Sequence, residues 1–294
     1  MIKLFVSDLD GTLLNHGKSI SPENKQAILE AQERGTRIVL ATGRGLDSTL
    51  AYAKELQMDR YGGYLVLNNG QQFYDMSTDK LRTNGVINAR DARKAYHVAQ
   101  EFGLQLVISS QHGLMFYTPK ALLPARAFYR LLNAMLPYFG FIFKRFSFTN
   151  IFGFLRAHHI HMIKNEEDIV GEFQKIGFAH ISSKLLKSEP ELRVRLGQDF
   201  ELFRVGDLWL DAAPKGISKL TGIQQVMALH QIDPHEVMTV GDSHNDYTMI
   251  HAFPLGIAMG NADPEIKEIA AEVTLTNVQH GVAAIIRKHI LTQA

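Results

Sequence analysis

A chain of 294 residues, 46% apolar and 21% charged, has the length for about two domains and the apolar share for a sizeable core. Its net charge of +1, with both signs mixed along the chain, points away from nucleic-acid binding and from an acidic interaction tail. With no cysteine, disulfides, thiolate metal sites and thiol catalysis are excluded, as suits a cytoplasmic protein. No apolar run approaches the roughly 20 residues that span a bilayer, and Asp8 and Asp10 arrive too early for a signal peptide.

The first predicted element is a buried strand, Ile2 to Val6, which ends in Asp8-Leu9-Asp10-Gly11-Thr12. Acids at the C-terminal edge of a strand stand where open α/β sheets place their ligand crevices. A side-chain period of two starts Asp8 and Asp10 on the same side. Carboxylates that close repel each other, and a hard divalent cation relieves the repulsion by taking oxygens from both. Gly11 permits a sharp turn there, and Thr12 can hold it.

Ser21-Pro22-Glu23 then starts a helix that Gly35 ends, with Ala27, Ile28 and Ala31 as its apolar stripe. The next strand, Arg37 to Ala41, delivers Thr42-Gly43-Arg44 to the same sheet edge. A hydroxyl, a glycine amide and a helix start together make a phosphate seat. A third strand, Tyr64 to Leu67, ends at the turn Asn68-Asn69-Gly70.

From about residue 84 the pattern changes. A helix is expected over Asn88 to Phe102, and strands over Leu104 to Ile108 and Leu114 to Tyr117. Between Phe128 and Phe154 the chain is rich in aromatics, which reads best as filling for a thin domain core. A substrate wall, a dimer face and a membrane-surface helix are the other readings, and Pro124 and Pro137 break any long interfacial helix. His159 and His161 share one face of a strand, but no third zinc ligand is near, so half-exposed strand histidines are expected. Strands over Leu192 to Leu196, Phe200 to Val205 and Leu208 to Leu210 close this middle region.

The β/α rhythm then returns. Pro214 to Lys219 opens a helix carrying Leu220, Ile223, Val226 and Leu229 at helical spacing. The strand Val237 to Val240 ends in Gly241-Asp242-Ser243-His244-Asn245-Asp246, bringing two more acids and an amide to a strand edge. Strands at Leu255 to Met259 and Val273 to Leu275, and helices at Glu265 to Ala271 and Val282 to Ile286, complete the chain. The β/α alternation predicts the fold class α/β: a doubly wound, mostly parallel sheet formed by residues 1–83 and 210–294, interrupted by an inserted domain over residues 84–209.

Asp8-Leu9-Asp10-Gly11-Thr12, Thr42-Gly43-Arg44, Lys219 and the Gly241 to Asp246 run resemble, in order, the four motifs of the haloacid dehalogenase (HAD) superfamily. The position of the insert is similar to the Cof-type branch, which implies that residues 84–209 form that branch's inserted α/β cap domain, and Asn69-Gly70, Gly260-Asn261-Ala262 and His280-Gly281-Val282-Ala283 are further similarities. Gln71 stands where that branch commonly has alanine, and the likeness is weak inside the cap. The resemblance implies that Asp8 is the nucleophile that takes up the phosphoryl group and that Asp10 is the general acid and then the base. It implies magnesium held by Asp8, the Asp10 backbone carbonyl and Asp242, with Asp246 as ligand or support. Thr42, Gly43, Lys219 and Asn245 would bind the phosphoryl oxygens, with Lys215 as the rival for the lysine role.

A magnesium-dependent phosphatase acting on a small phosphorylated metabolite in the cytoplasm is the expectation, with no nucleic-acid or membrane partner. A phosphomutase is the first alternative, separated by whether free phosphate is released. A non-catalytic regulatory or binding protein is the second, and magnesium-dependent turnover of para-nitrophenyl phosphate would exclude it.

Overall fold

The computed structural model describes residues 1–110, 113–124, 127, 160–205 and 207–292. The chain forms two compact units, Met1–Gly85 with Gly216–Ala294, and Val86–Lys215. Among the described residues no helix is long and apolar enough to cross a membrane.

The first unit is built on an eight-stranded sheet. From edge to edge it runs Glu272–Val273, Leu255–Ala258, Val237–Gly241, Leu4–Ser7, Arg37–Ala41, Tyr64–Leu67, Gln72–Asp75 and Lys80–Thr83. The first six are parallel, and the last two add an antiparallel hairpin. Leu4, Phe5 and Val6 on the central strand are all fully buried. That is why the strand reads as a continuous apolar run without alternation: a parallel strand is covered on both faces. Each such side chain contributes about 1.5–3 kcal/mol of burial. The helix Pro22–Glu33 is capped by Ser21, whose hydroxyl accepts from the Asn24 amide at 3.2 Å. It packs on Gly281–Ile286, while Lys219–His230 packs against Arg37–Ala41 and Tyr64–Leu67.

Among the described residues, the second unit has a six-stranded sheet in the order Phe200–Arg204, Trp209–Pro214, Lys175–Ala179, Gln105–Ser110, Gly113–Tyr117 and Ile160–Met162. Only its last pair is parallel. The helices Ala89–Phe102 and Ser182–Leu196 pack on each other, closing a core with Leu106, Ile108, Ile176, Phe178 and Leu210.

Several expectations are corrected. Residues 192–196 are not a strand but the C-terminal end of the helix Ser182–Leu196. The alternation Leu192, Val194, Leu196 suggests a strand, yet Val194 is 73% exposed, while Leu185, Leu192 and Leu196 are buried at helical spacing. The strand expected at Leu208 to Leu210 runs Trp209–Pro214. The one expected at Val273 to Leu275 is only Glu272–Val273. The hairpin strands Gln72–Asp75 and Lys80–Thr83 are additions that the sequence pattern does not signal, because Lys80–Thr83 is an exposed edge strand without an apolar face. The aromatic stretch from Phe128 to Phe154, with His158 and His159, lies outside the described residues. His161 pairs with Met115 in the sheet.

Candidate active site

Two neighbouring central strands deliver the acids. Leu4–Ser7 and Val237–Gly241 pair in parallel, with Ser7 opposite Val240. The chain goes from the first strand to Arg37–Ala41 on one side and from the second to Leu255–Ala258 on the other. This is the switch point of a doubly wound sheet, where strand ends splay apart and leave a crevice. Asp8 follows the first strand, its amide bonded to the Val240 carbonyl at 3.1 Å, and Asp242 follows the second.

Lys219 sits between Asp8 and the Asp242 loop. Its ammonium is wholly buried and donates to Asp8 Oδ1 and Asp246 Oδ1, both at 2.6 Å. It is the first residue of its helix, whose start is fixed by reciprocal bonds between Ser218 and Thr221. The other oxygen of Asp246 accepts from the amides of Asp242 and Ser243 at 2.9 and 3.1 Å, which closes the loop. Asp242 in turn accepts from the Thr12 hydroxyl at 2.9 Å. Gly11 has a φ of +82°, and a Cβ there would lie 2.2 Å from Asp242 Oδ2, so this acid can occupy its place only beside a glycine. Lys215, the rival lysine, pairs instead with Glu201 at 3.0 Å.

Oxygens of Asp8, Asp242 and Asp246 lie within 4.8 Å of one another. Three largely buried acids facing one ammonium leave an excess of negative charge. Burial pushes the Asp8 carboxyl up to about 7, with Lys219 pulling it down and Asp246 adding repulsion. Burial, then the charges of Asp8 and Asp246, push Asp242 up to about 8. Burial alone would lower Lys219, but Asp246 and Asp8 outweigh it and hold the ammonium charged. The donor set is all hard oxygen and over-charged, which fits a hard divalent cation.

Thr42, 1% exposed, follows Arg37–Ala41 and bonds through its amide to the Val66 carbonyl at 2.8 Å. Its carbonyl accepts from Asn69, whose Oδ1 accepts from Asn245 at 3.1 Å. Ser243 fixes the Asn245 amide at 2.7 Å. Asn69 therefore ties the Thr42-Gly43 loop to the Asp242 loop, and Gly43 faces the Asn69 amide closely. Beyond this turn Gln71 is buried, with neither amide atom partnered among the described residues.

Asp10 does not join the acidic group. It turns to Arg44, whose Nε and Nη2 reach Oδ2 and Oδ1, each at 2.6 Å, and Lys18 also donates to Oδ1. Burial would raise this carboxyl, but the bonds from Arg44 and Lys18 outweigh burial and hold it below the ordinary carboxylate range. Sequence reasoning missed Lys18 and the bridging role of Asn69. A signal existed for Asn69: with Asn68 it adopts a left-handed backbone, which two asparagines before a glycine readily permit.

The profile of the haloacid dehalogenase-like hydrolases matches residues 5–286. The chain belongs to that family. It is 28% identical over 290 residues to 5-amino-6-(5-phospho-D-ribitylamino)uracil phosphatase YcsE of Bacillus subtilis (strain 168), covering 99% of this chain and 96% of that protein. It is 27% identical over 303 residues to phosphatase YwpJ of the same organism, covering 99% and 100%. A haloacid dehalogenase-like hydrolase from Bacteroides thetaiotaomicron has a similar structure, with a TM-score of 0.72 at 27% identity over 98% of this chain and 99% of that one.

Proposed function

We propose that this HAD hydrolase is a magnesium-dependent phosphatase that releases phosphate from a small cytoplasmic phosphorylated metabolite. The observation that carries the reading is the buried group at the switch point, Asp8, Lys219, Asp246 and Asp242. It joins a carboxylate nucleophile to a cation-binding set.

In this reading Asp8 attacks the phosphorus, and the bond from phosphorus to the leaving oxygen breaks. Asp10 gives that oxygen a proton. In the second step water attacks the phosphorus, Asp10 takes the proton of the water, and the Asp8–phosphorus bond breaks to free phosphate and restore Asp8. Lys219 holds Asp8 by one oxygen, which limits its rotation and leaves the other oxygen for attack. Thr42, Gly43, Lys219 and Asn245 supply donors to the phosphoryl oxygens, whose charge grows in the transition state. Magnesium, held by Asp8, Asp242 and the Asp10 carbonyl with Asp246 in support, would neutralise that charge. Because Arg44 and Lys18 favour the charged form of Asp10, the water-activating step starts from its major form and the acid step from its minor one.

The test is release of inorganic phosphate from a panel of phosphorylated sugars, sugar acids and cofactors, with and without magnesium. The ester in the name of the YcsE relative, 5-amino-6-(5-phospho-D-ribitylamino)uracil, belongs in the panel. Magnesium-dependent turnover of at least one ester, and of para-nitrophenyl phosphate, is expected. Absence of both, or isomerised sugar phosphate without free phosphate, would overturn the reading.

A further inference from the structure

The contacts of Asp10 form a built arrangement from three parts of the first unit. Arg44 comes from the loop after Arg37–Ala41 and meets both carboxylate oxygens with its planar fork at 2.6 Å. Lys18 comes from a turn in which its amide bonds to the Asn15 carbonyl at 3.0 Å, and its backbone is left-handed with a φ of +58°. Tyr52, on the helix Leu46–Glu55, ties the two cations together. Its hydroxyl donates to the Lys18 carbonyl at 2.9 Å and accepts from Arg44 Nη1 at 3.5 Å, and Arg44 lies over its ring at 5.5 Å from the centroid. The Arg44 amide is itself bonded to the Thr42 hydroxyl at 3.2 Å.

A fork meeting a carboxylate edge-on fixes the carboxylate's plane, which a point charge such as lysine cannot do. Among the described residues, Oδ1 of Asp10 takes two donors, from Arg44 and Lys18, whereas Oδ2 takes one. Each oxygen has two lone pairs, so Oδ2 is the oxygen with room for one further partner.

We propose that Arg44 is a positioning residue for Asp10, its fork setting the carboxylate plane so that Oδ2 is the oxygen that exchanges the proton. This rests on the acid–base role of Asp10 given above. Lys18 and Tyr52 support the same geometry, Tyr52 by fixing the guanidinium from behind. Arg44→Lys keeps the charge but loses the fork, so it separates orientation from electrostatics.

The experiment is single-turnover kinetics on a series of substituted phenyl phosphates whose leaving groups differ in basicity. It compares the parent, Arg44→Met, Arg44→Lys, Asp10→Asn and the double variant Asp10→Asn/Arg44→Met. Asp10→Asn should slow the poorest leaving group by about 10²-fold or more and spare para-nitrophenyl phosphate, steepening the dependence on basicity. Arg44→Met should steepen it in the same sense, with about tenfold loss or more at the basic end. Arg44→Lys should fall between parent and Arg44→Met. In the Asp10→Asn background Arg44→Met should cost nothing further, because the group it positions is gone. A loss from Arg44→Met that is equal for all leaving groups, or that persists in the Asp10→Asn background, overturns the proposal. A flat response of Asp10→Asn itself defeats the acid–base reading, which is a different result. An effect of Arg44→Met on folding would slow every leaving group alike, because it does not depend on leaving-group basicity, and so counts against the proposal.

Discussion

Lys219 donates to Asp8 Oδ1 at 2.6 Å, and the ammonium has no exposure to solvent. A buried cation of this kind cannot be removed without stranding its partners, since Asp246 shares the same nitrogen. Lys219→Met is expected to cost about 3–5 kcal/mol of stability at neutral pH, the usual penalty for breaking a buried ion pair from one side. Urea unfolding in the presence of EDTA measures it. A loss below about 1 kcal/mol would mean that the ammonium neutralises little of the charge around it.

Without a cation, Asp8 and Asp242 titrate near 7 and 8, far above the ordinary value of 3.8. Between those limits the folded protein holds protons that the unfolded chain has released, so the contribution of these two acids to stability is full at acid pH and falls as pH rises towards 8. His180 and His230, lowered by burial, act in the opposite sense near pH 6. The comparison is therefore with Asp242→Asn, which keeps both histidines. In EDTA, the parent should lose midpoint temperature from pH 5 to 8 more steeply than Asp242→Asn does. Magnesium binds the ionised acids, so it should raise the parent's midpoint most at pH 8, and chelation should abolish turnover. Equal slopes for the two proteins in EDTA would show that Asp242 carries no excess charge, and full turnover in EDTA would remove the metal from the mechanism.

The parts of this fold that the sequence discloses are those in which one residue type has one job. Leu4, Phe5 and Val6 read as a covered strand because three consecutive apolar residues in so short a run ahead of acids suit a strand buried on both faces. The acids and Lys219 are legible because their types and order are specific. What is not legible depends on neighbours distant in the chain. Leu192, Val194 and Leu196 alternate like a strand, and only the packing of Leu192 and Leu196 with Leu185 in the core of the second unit reveals the helix. The hairpin strand Lys80–Thr83 takes its conformation from pairing with Gln72–Asp75 rather than from its own side chains. In the site, the period of two predicts Asp10 beside Asp8, but that period ends at the strand. Gly11 turns the chain, and the Asp10 side chain follows the strongest donors in reach, Arg44 and Lys18.

Two glycines with left-handed backbones should respond differently to alanine. At Gly35, with a φ of +91°, no atom of the described residues other than its chain neighbours lies within 4 Å of the place a Cβ would take, so Gly35→Ala incurs only backbone strain of about 1–2 kcal/mol. At Gly11 the same strain is joined by a Cβ 2.2 Å from Asp242 Oδ2, which must move. Gly11→Ala should therefore cut turnover of para-nitrophenyl phosphate by about 10²-fold, as small misplacements in a site do, and weaken magnesium binding. Gly35→Ala should retain parental turnover. Comparable turnover in the two variants would show that Asp242 is not held where the reaction needs it.

The two acids of the opening stretch should part company kinetically. Asp8→Asn is expected to stop the reaction before any covalent step, because an amide is a poor nucleophile. It also loses its charge beside Lys219, so that among the described residues the ammonium keeps Asp246 alone as a bonded anion. Asp10→Asn leaves Asp8 and Lys219 in place and removes only the group held by Arg44 and Lys18. With para-nitrophenyl phosphate the leaving group departs without a proton, so transfer to Asp8 should survive. Attack of water on the phosphorylated Asp8 then lacks its base, a loss worth about 10²–10⁴-fold. The Asp10→Asn protein should release close to one equivalent of nitrophenol per enzyme and then stall with phosphate attached to Asp8. Rapid-quench measurement of nitrophenol, together with acid-stable protein-bound phosphate, decides the matter. Steady turnover near the parental rate with no burst would move the acid–base role away from Asp10, and a burst from Asp8→Asn would move the nucleophile away from Asp8.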